Sequence, residues 1–319
     1  MLSDRTYRKA WREKDALKYI QEQAGRHFDP EIVKLFFKIK NTLDKKGIQS
    51  LKRYYLLRSS YNTPVPTPFY HISIAEELLA SDEMPESVRA FLLAQRGAFL
   101  LGKTAPDVQT LSGQARSETH FYHIPLRGTR APWEKMFTRY RSLGCPASLS
   151  SDQAAFISGY ICHLQADVIW ITDLFVPYFV PMIAGTRRKQ VGYLHNALRS
   201  YLDALILEKL PQDVGKRLAD VNPSGWLPFV QDRYLAAWRD YLAQQLMPGA
   251  KSQTVEVFAS RLEIPIEEFL DLINSESRME TEVFSIIPRQ VLVEYRDKLV
   301  SANILLLTEF LADLPDHGD

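Results

Sequence analysis

The chain has 319 residues, enough to bury a full core and to form one large domain or two. Lys+Arg 39 against Asp+Glu 38 leave a net charge of +1, which argues against a protein that grips nucleic acid by counterion release. Two cysteines, Cys145 and Cys162, exclude both a disulfide framework and a Cys-type zinc motif.

Taken in chain order, the sequence reads as helical nearly throughout. The N-terminus, Met1 to Lys9, is charged and lacks a following apolar region, so the expectation is a soluble, cytoplasmic protein. Residues 14–24 and 30–45 carry apolar positions at three-to-four spacing, and Asp29-Pro30 is a good helix start. Thr63-Pro64-Val65-Pro66-Thr67-Pro68 reads as an extended connector. Further helices are predicted near 70–81, 86–101, 131–142, 151–176, 190–208, 232–246, 252–262, 265–274 and 287–312. The stretch 102–130 lacks a helical period and is predicted to be a long ordered loop. No run alternates with period two, so a sheet-based core is not expected. The most apolar stretch, Val168 to Ala184, is interrupted by Asp173, Pro177 and Pro181, which argues against a membrane-spanning helix.

Chemistry concentrates in one helix. His163 and Asp167 stand four residues apart in an apolar segment, so imidazole and carboxylate share a helical face. Burying both is costly unless they pair or ligate a metal. His71, Asp107 and His120 lie upstream in similarly apolar settings, and together the five form a His/Asp set with the chemistry of a zinc site. The alternative is that each is an ordinary core or capping group. His123 and His195 are further histidines of the same stretch, and Cys162 reads as a small core residue rather than a ligand.

Tyr70-His71-Ile72-Ser73-Ile74-Ala75, Ala105-Pro106-Asp107, Thr119-His120-Phe121-Tyr122 and Gly159-Tyr160-Ile161-Cys162-His163-Leu164-Gln165-Ala166-Asp167 follow one another in an order and spacing that resembles the zinc-dependent phospholipase C family, whose fold is related to that of the S1/P1 nucleases. The resemblance spans roughly residues 68–210. It implies an all-α fold, zinc in a cleft, and hydrolysis of a phosphodiester by a metal-activated water. It also implies that Asp107, His120, His163 and Asp167 hold the metal, with Asp107 a catalytic residue and Asp167 reaching toward a second metal near His71. One zinc is expected, and the second is left open, because the chain departs from the family pattern in three places. Seventy residues precede His71, where secreted members use the mature N-terminus as a ligand. Asp173 stands where a histidine belongs, about 240° round the helix from Asp167, so it joins the site only if the helix bends or ends. His195 is followed by Arg199 rather than a glutamate, and both a ligand and a packing role are open for it.

The first 45 residues raise a smaller resemblance, to the C-terminal end of an HD-GYP phosphodiesterase domain, carried by Asp4-Arg5-Thr6-Tyr7-Arg8, Ala16-Leu17 and Gly25 to Val33. That family's catalytic motifs are absent from it. The expected organisation is therefore a non-catalytic N-terminal helical segment over 1–46, a linker over 47–68, a metal domain over 69–210, and a helical extension over 211–319 that packs on it. The expected partner is a lipid or small-molecule phosphodiester, with transient contact to a membrane surface and no specific nucleic acid. The competing expectation is a catalytically inactive metal-binding or scaffold protein of the same fold.

Overall fold

Apolar spacing at three and four residues is realised as helix, and no β-strand forms among the described residues. The computed structural model describes residues 13–24, 65–184 and 188–314, with Pro30, Val33, Lys34 and Phe37 as isolated positions. Two units divide the chain, Met1–Leu56 and Leu57–Asp319. In the first, α1 (Glu13–Glu22) is amphipathic and carries an exposed Lys18–Glu22 pair one turn apart. The helix predicted over 30–45 and most of the HD-GYP-like stretch lie outside the described residues.

The second unit holds the chemistry-bearing residues. It opens at α2 (Pro68–Ala80), where Thr67 caps the helix by accepting from the Tyr70 N–H and Pro68 takes the first turn. The predicted helix over 86–101 is broken at Gln95 into α3 (Glu86–Ala94) and α4 (Arg96–Gly102). The stretch 102–130 departs from the predicted loop. It winds through a 3-10 turn at Ala105–Val108 and two short α-helices, Gln109–Ser112 and α5 (Arg116–His120). These pieces are one turn or little more, too short for a hydrophobic period to register in the sequence.

Next come α6 (Pro132–Arg139) and α7 (Ser151–Ile169), the central helix of the unit. By length and composition alone the run Ser151–Ile183 could cross a membrane. Here, however, every residue from Ala154 to Asp167 except Gln165 is buried among neighbouring helices, and the run also contains His163 and Asp167. Beyond Ile169 the helix widens into a π-helical stretch, Trp170–Phe179, that accommodates Pro177. The chain continues through α8 (Arg188–Leu207), α9 (Val214–Ala219), α10 (Asp232–Gln245), α11 (Thr254–Leu262), α12 (Ile266–Ile273) and α13 (Arg289–Phe310). Helix α9 and the π-helical turn Met279–Phe284 were not legible from periodicity.

Two glycines set how closely α4 and α7 approach. A Cβ on Gly159 would lie 2.2 Å from the Phe99 carbonyl oxygen, and one on Gly102 would lie 2.0 Å from that of Phe156. Only hydrogen atoms fit there, so the two backbones touch. Gly159, His163 and Asp167 follow at four-residue steps, which puts this close approach on the face that carries the imidazole and the carboxylate.

Candidate metal centre

Helix α7 supplies His163 and Asp167, both fully buried. The close approach of α4 leaves the Lys103 carbonyl 2.8 Å from His163 Nδ1. A carbonyl only accepts, so Nδ1 carries the hydrogen and Nε2 is left as the ligand atom. Helix α5 brings His120. Its start is fixed by Glu118, which accepts from the Ala115 N–H, and its end is tied to α7 by the Tyr160 hydroxyl, which donates to the Thr119 carbonyl at 2.5 Å. The Thr119 hydroxyl donates to the Arg116 carbonyl and lies 2.9 Å from His120 Nδ1. This network assigns the hydrogen to Nδ1 and turns Nε2 of His120 inward as well. Second partners of this kind are what orient metal-binding imidazoles.

The inward atoms form a triangle. His120 Nε2 and His163 Nε2 are 3.4 Å apart, and Asp167 Oδ2 lies 3.6 Å from the first and 3.5 Å from the second. Asp107 Oδ1, from the 3-10 turn, is 3.4 Å from His120 Nε2. Tetrahedral zinc with bonds of ~2.0–2.2 Å sets neighbouring ligand atoms ~3.3–3.6 Å apart, so each of these separations suits two donors on one ion. Two overlapping groups meet metal-binding distances, Asp107 with His120 and His163, and His71 with His163 and Asp167.

His71 completes the second group. Its ring stacks on His163 at 3.8 Å between centroids, and its Nε2 is 3.4 Å from Asp167 Oδ1. Neither nitrogen of His71 nor Asp167 Oδ1 has a hydrogen-bond partner among the described residues. Buried polar atoms left this way are costly unless a cation sits among them. The donor set therefore fits zinc: imidazole nitrogens and carboxylate oxygens, gathered in two overlapping groups, with no protein donor for several of them among the described residues.

Protonation agrees. Burial pushes the His71 imidazolium down to about 3, and burial together with the Arg116 charge pushes His120 down to about 4. Burial by itself would raise the Asp167 carboxyl, but His163 and Arg116 outweigh it and hold that group well below the usual carboxylate range. Neutral imidazoles and ionised carboxylates are the forms that bind metal.

Three residues of the centre escaped sequence reasoning. The Arg116 guanidinium spans both carboxylates, at 3.3 Å from Asp107 Oδ1 and 2.5 Å from Asp167 Oδ2. Tyr122 donates its hydroxyl to Asp167 Oδ2 at 2.8 Å and accepts from Arg116 at 2.7 Å. Lys103 is fully buried, its Nζ has no hydrogen-bond partner among the described residues, and burial lowers its ammonium to about 8. No spacing rule links these residues to His163, because their neighbourhood arises from folding.

Three other candidates are placed elsewhere. Asp173 sits on the π-helical turn and pairs at 2.6 Å with Lys298 of α13, because that turn carries it away from the His163 face. His123 is exposed, beyond the end of α5. His195 is buried, but its Nε2 accepts from the Trp170 indole at 3.1 Å and its ring packs against Phe175 and Phe179. That is a packing role. Cys162 is buried, as expected of a core residue.

The centre meets open space on one side. A pocket of about 320 Å³ runs between the 65–69 segment, the 107–111 turn, α10 and α11, and Asp107 is the one candidate ligand that lines it.

No curated protein and no solved structure matches the chain. The sequence pattern described as zinc dependent phospholipase C does match, over residues 70–243, which takes in the elements that bring His71, Asp107, His120, His163 and Asp167 together. That span exceeds half of the 319 residues, and the chain belongs to the zinc-dependent phospholipase C family.

Proposed function

We propose that the protein is a zinc-dependent hydrolase of phosphodiesters, with Asp107, His120, His163 and Asp167 as the primary ligands. The observation that carries the reading is the triangle of His120 Nε2, His163 Nε2 and Asp167 Oδ2, with edges of 3.4, 3.5 and 3.6 Å. Zinc bound there supplies a Lewis acid that polarises a phosphoryl oxygen and acidifies water. The protein's own part is to hold the donors. Lys103 O and Thr119 Oγ1 fix the imidazole tautomers, and Tyr122 and Arg116 fix Asp167. Asp107 is the candidate at the pocket wall, which supports assigning to its carboxylate the acceptance of a proton from water. His71 and Asp167 Oδ1 offer two donors toward a second ion, while Asp173 and His195 are engaged elsewhere.

That incomplete second half favours a second reading, in which the protein binds zinc without turnover. Elemental analysis and a phosphodiester assay decide. About one zinc per chain is expected, lost in His163→Ala, with hydrolysis of bis(p-nitrophenyl) phosphate above that of Asp107→Asn. Purified protein without stoichiometric zinc, after zinc is offered, would sink the centre. Zinc with no turnover would leave the non-catalytic reading standing.

A further inference from the structure

The pocket beside Asp107 is lined by chemistry that the metal centre does not use. One wall is aromatic and apolar, made by Phe69, Leu111, Trp238 and Tyr241. Trp238 is held by its indole N–H, which donates to the Thr104 carbonyl at 3.0 Å, and its ring stacks on Tyr241 at 5.7 Å. The charged side chains of the lining are Asp107, Arg199 and Arg261. Asp107 faces His120 and Arg116, and the other two charged side chains of the lining are both guanidiniums.

Arg199 is built in. It is 5% exposed, donates to the Val65 carbonyl at 2.9 Å and to Asn196, and lies over the Phe258 ring at 4.3 Å. Burial, and then the Arg261 charge, lowers it to about 9. The buried acid that acts most on Arg199, Asp203, accepts from Thr67 and Thr254, and burial raises its carboxyl to about 7. It therefore offsets little of the positive charge below neutrality. Two like charges gathered in a concave, partly apolar site attract an anion, and a guanidinium pair suits phosphate or carboxylate oxygens.

We infer that this pocket is a headgroup site for phosphodiesters that carry a second anionic group, a phosphate or a carboxylate, which Arg199 and Arg261 bind while the diester lies at Asp107. The inference rests on the proposed hydrolase reading for the diester end alone. A volume of about 320 Å³ is at the low end for small-ligand sites, so the pocket suits a headgroup and not the acyl chains of a lipid. The same chemistry could come from a phosphorylated inositol lipid or from a nucleotide with a terminal phosphate.

Isothermal titration of the full chain, zinc-loaded and chelator-treated, tests this with three probes. They are dihexanoyl phosphatidylinositol 4-phosphate below its micellar concentration, a thymidine dinucleotide with a 3′-phosphate, and dihexanoyl phosphatidylcholine. At least one anionic probe is expected to bind about tenfold or more tighter than the choline lipid, and Arg261→Gln should abolish that preference. Arg261 is exposed, so the variant is expected to fold, with its zinc content as the check. The tighter anionic probe identifies the source. Equal or tighter binding of the choline lipid, or an anion preference that survives in Arg261→Gln, overturns the headgroup site. Arg261-dependent anion binding by a protein that takes up no zinc would keep the headgroup site and sink the centre instead.

Discussion

At the residue scale the centre is an excess of acceptors with one cation, Arg116, paired directly with its carboxylates. Asp167 alone meets His71, His120, His163, Tyr122 and Arg116. Removing Arg116 strands two buried carboxylates, and breaking buried pairs in this way costs about 3–5 kcal/mol. Arg116→Ala is therefore expected to destabilise chelator-treated protein by that order. Zinc should recover a larger share of the loss than it adds to the wild type, because the ion restores positive charge beside Asp107 and Asp167. Thermal melts of both proteins with and without zinc check this, and an equal zinc-induced shift in the two would contradict it. Asp203 offers a second test, away from the metal. Its folded value of about 7 lies above its unfolded value, so the folded form takes up the proton more readily. The resulting penalty is absent below the unfolded value near ~4, grows as pH rises toward 7, and is full above it. Asp203→Asn keeps an acceptor for one of Thr67 and Thr254 and offers an N–H to the hydroxyl of the other. It should raise the melting temperature at pH 8 and leave it nearly unchanged at pH 4. A gain confined to acid would reverse the assignment.

At the element scale the site depends on how α7 is approached. Gly159 lets the α4 backbone within contact of α7, and one turn later His163 meets the Lys103 carbonyl as a consequence. A methyl group at 159 would meet Phe99 O at 2.2 Å and Lys103 N at 2.7 Å, both backbone atoms that cannot swing aside. Gly159→Ala should cost about 1–3 kcal/mol through overpacking and weaken zinc affinity as well, because the Lys103 carbonyl is pushed off Nδ1. Calorimetry with zinc titration reads both effects, and stability lost with affinity intact would detach the glycine from the centre. The same helix marks the limit of what the sequence disclosed. His163 and Asp167 were legible because four-residue spacing fixes a shared face before any tertiary contact exists. His71, Asp107 and His120 were legible through the order of their motifs. Arg116 and Tyr122 were not, since they reach Asp167 from 51 and 45 residues away by way of short helical turns that periodicity cannot resolve. Asp173 stands about 240° round a regular helix from Asp167, and the widening at Trp170–Phe179 does not bring it to the site, since it pairs with Lys298 instead.

At the scale of the whole molecule the matched family region is shorter than the structural unit that contains it. The match ends at residue 243, whereas the unit extends from Leu57 to Asp319. Helix α13, entirely beyond the match, seals the back of the centre. Tyr295 donates to the Ala166 carbonyl at 3.3 Å and packs edge-on against Trp170 at 5.3 Å. Arg296 pairs with Glu77 of α2 at 2.6 Å, and Lys298 pairs with Asp173. On the other side, α11 contributes Phe258 and Arg261 to the pocket next to Asp107. A chain ended at Ala243 would uncover the buried rings of Tyr70 and Trp170 where Tyr295 packs on them, which is a core defect rather than the loss of an appendage. Such a truncation is expected to lose cooperative unfolding and stoichiometric zinc together, although every proposed ligand remains in it. Circular dichroism melts and metal analysis of chains ending at Ala243 and at Asp319 make the comparison. If the shorter chain melts cooperatively and retains zinc, the C-terminal helices are dispensable to the centre and the family region folds alone. The structure argues the other way, because the helix that carries His163 and Asp167 buries its far end against α13.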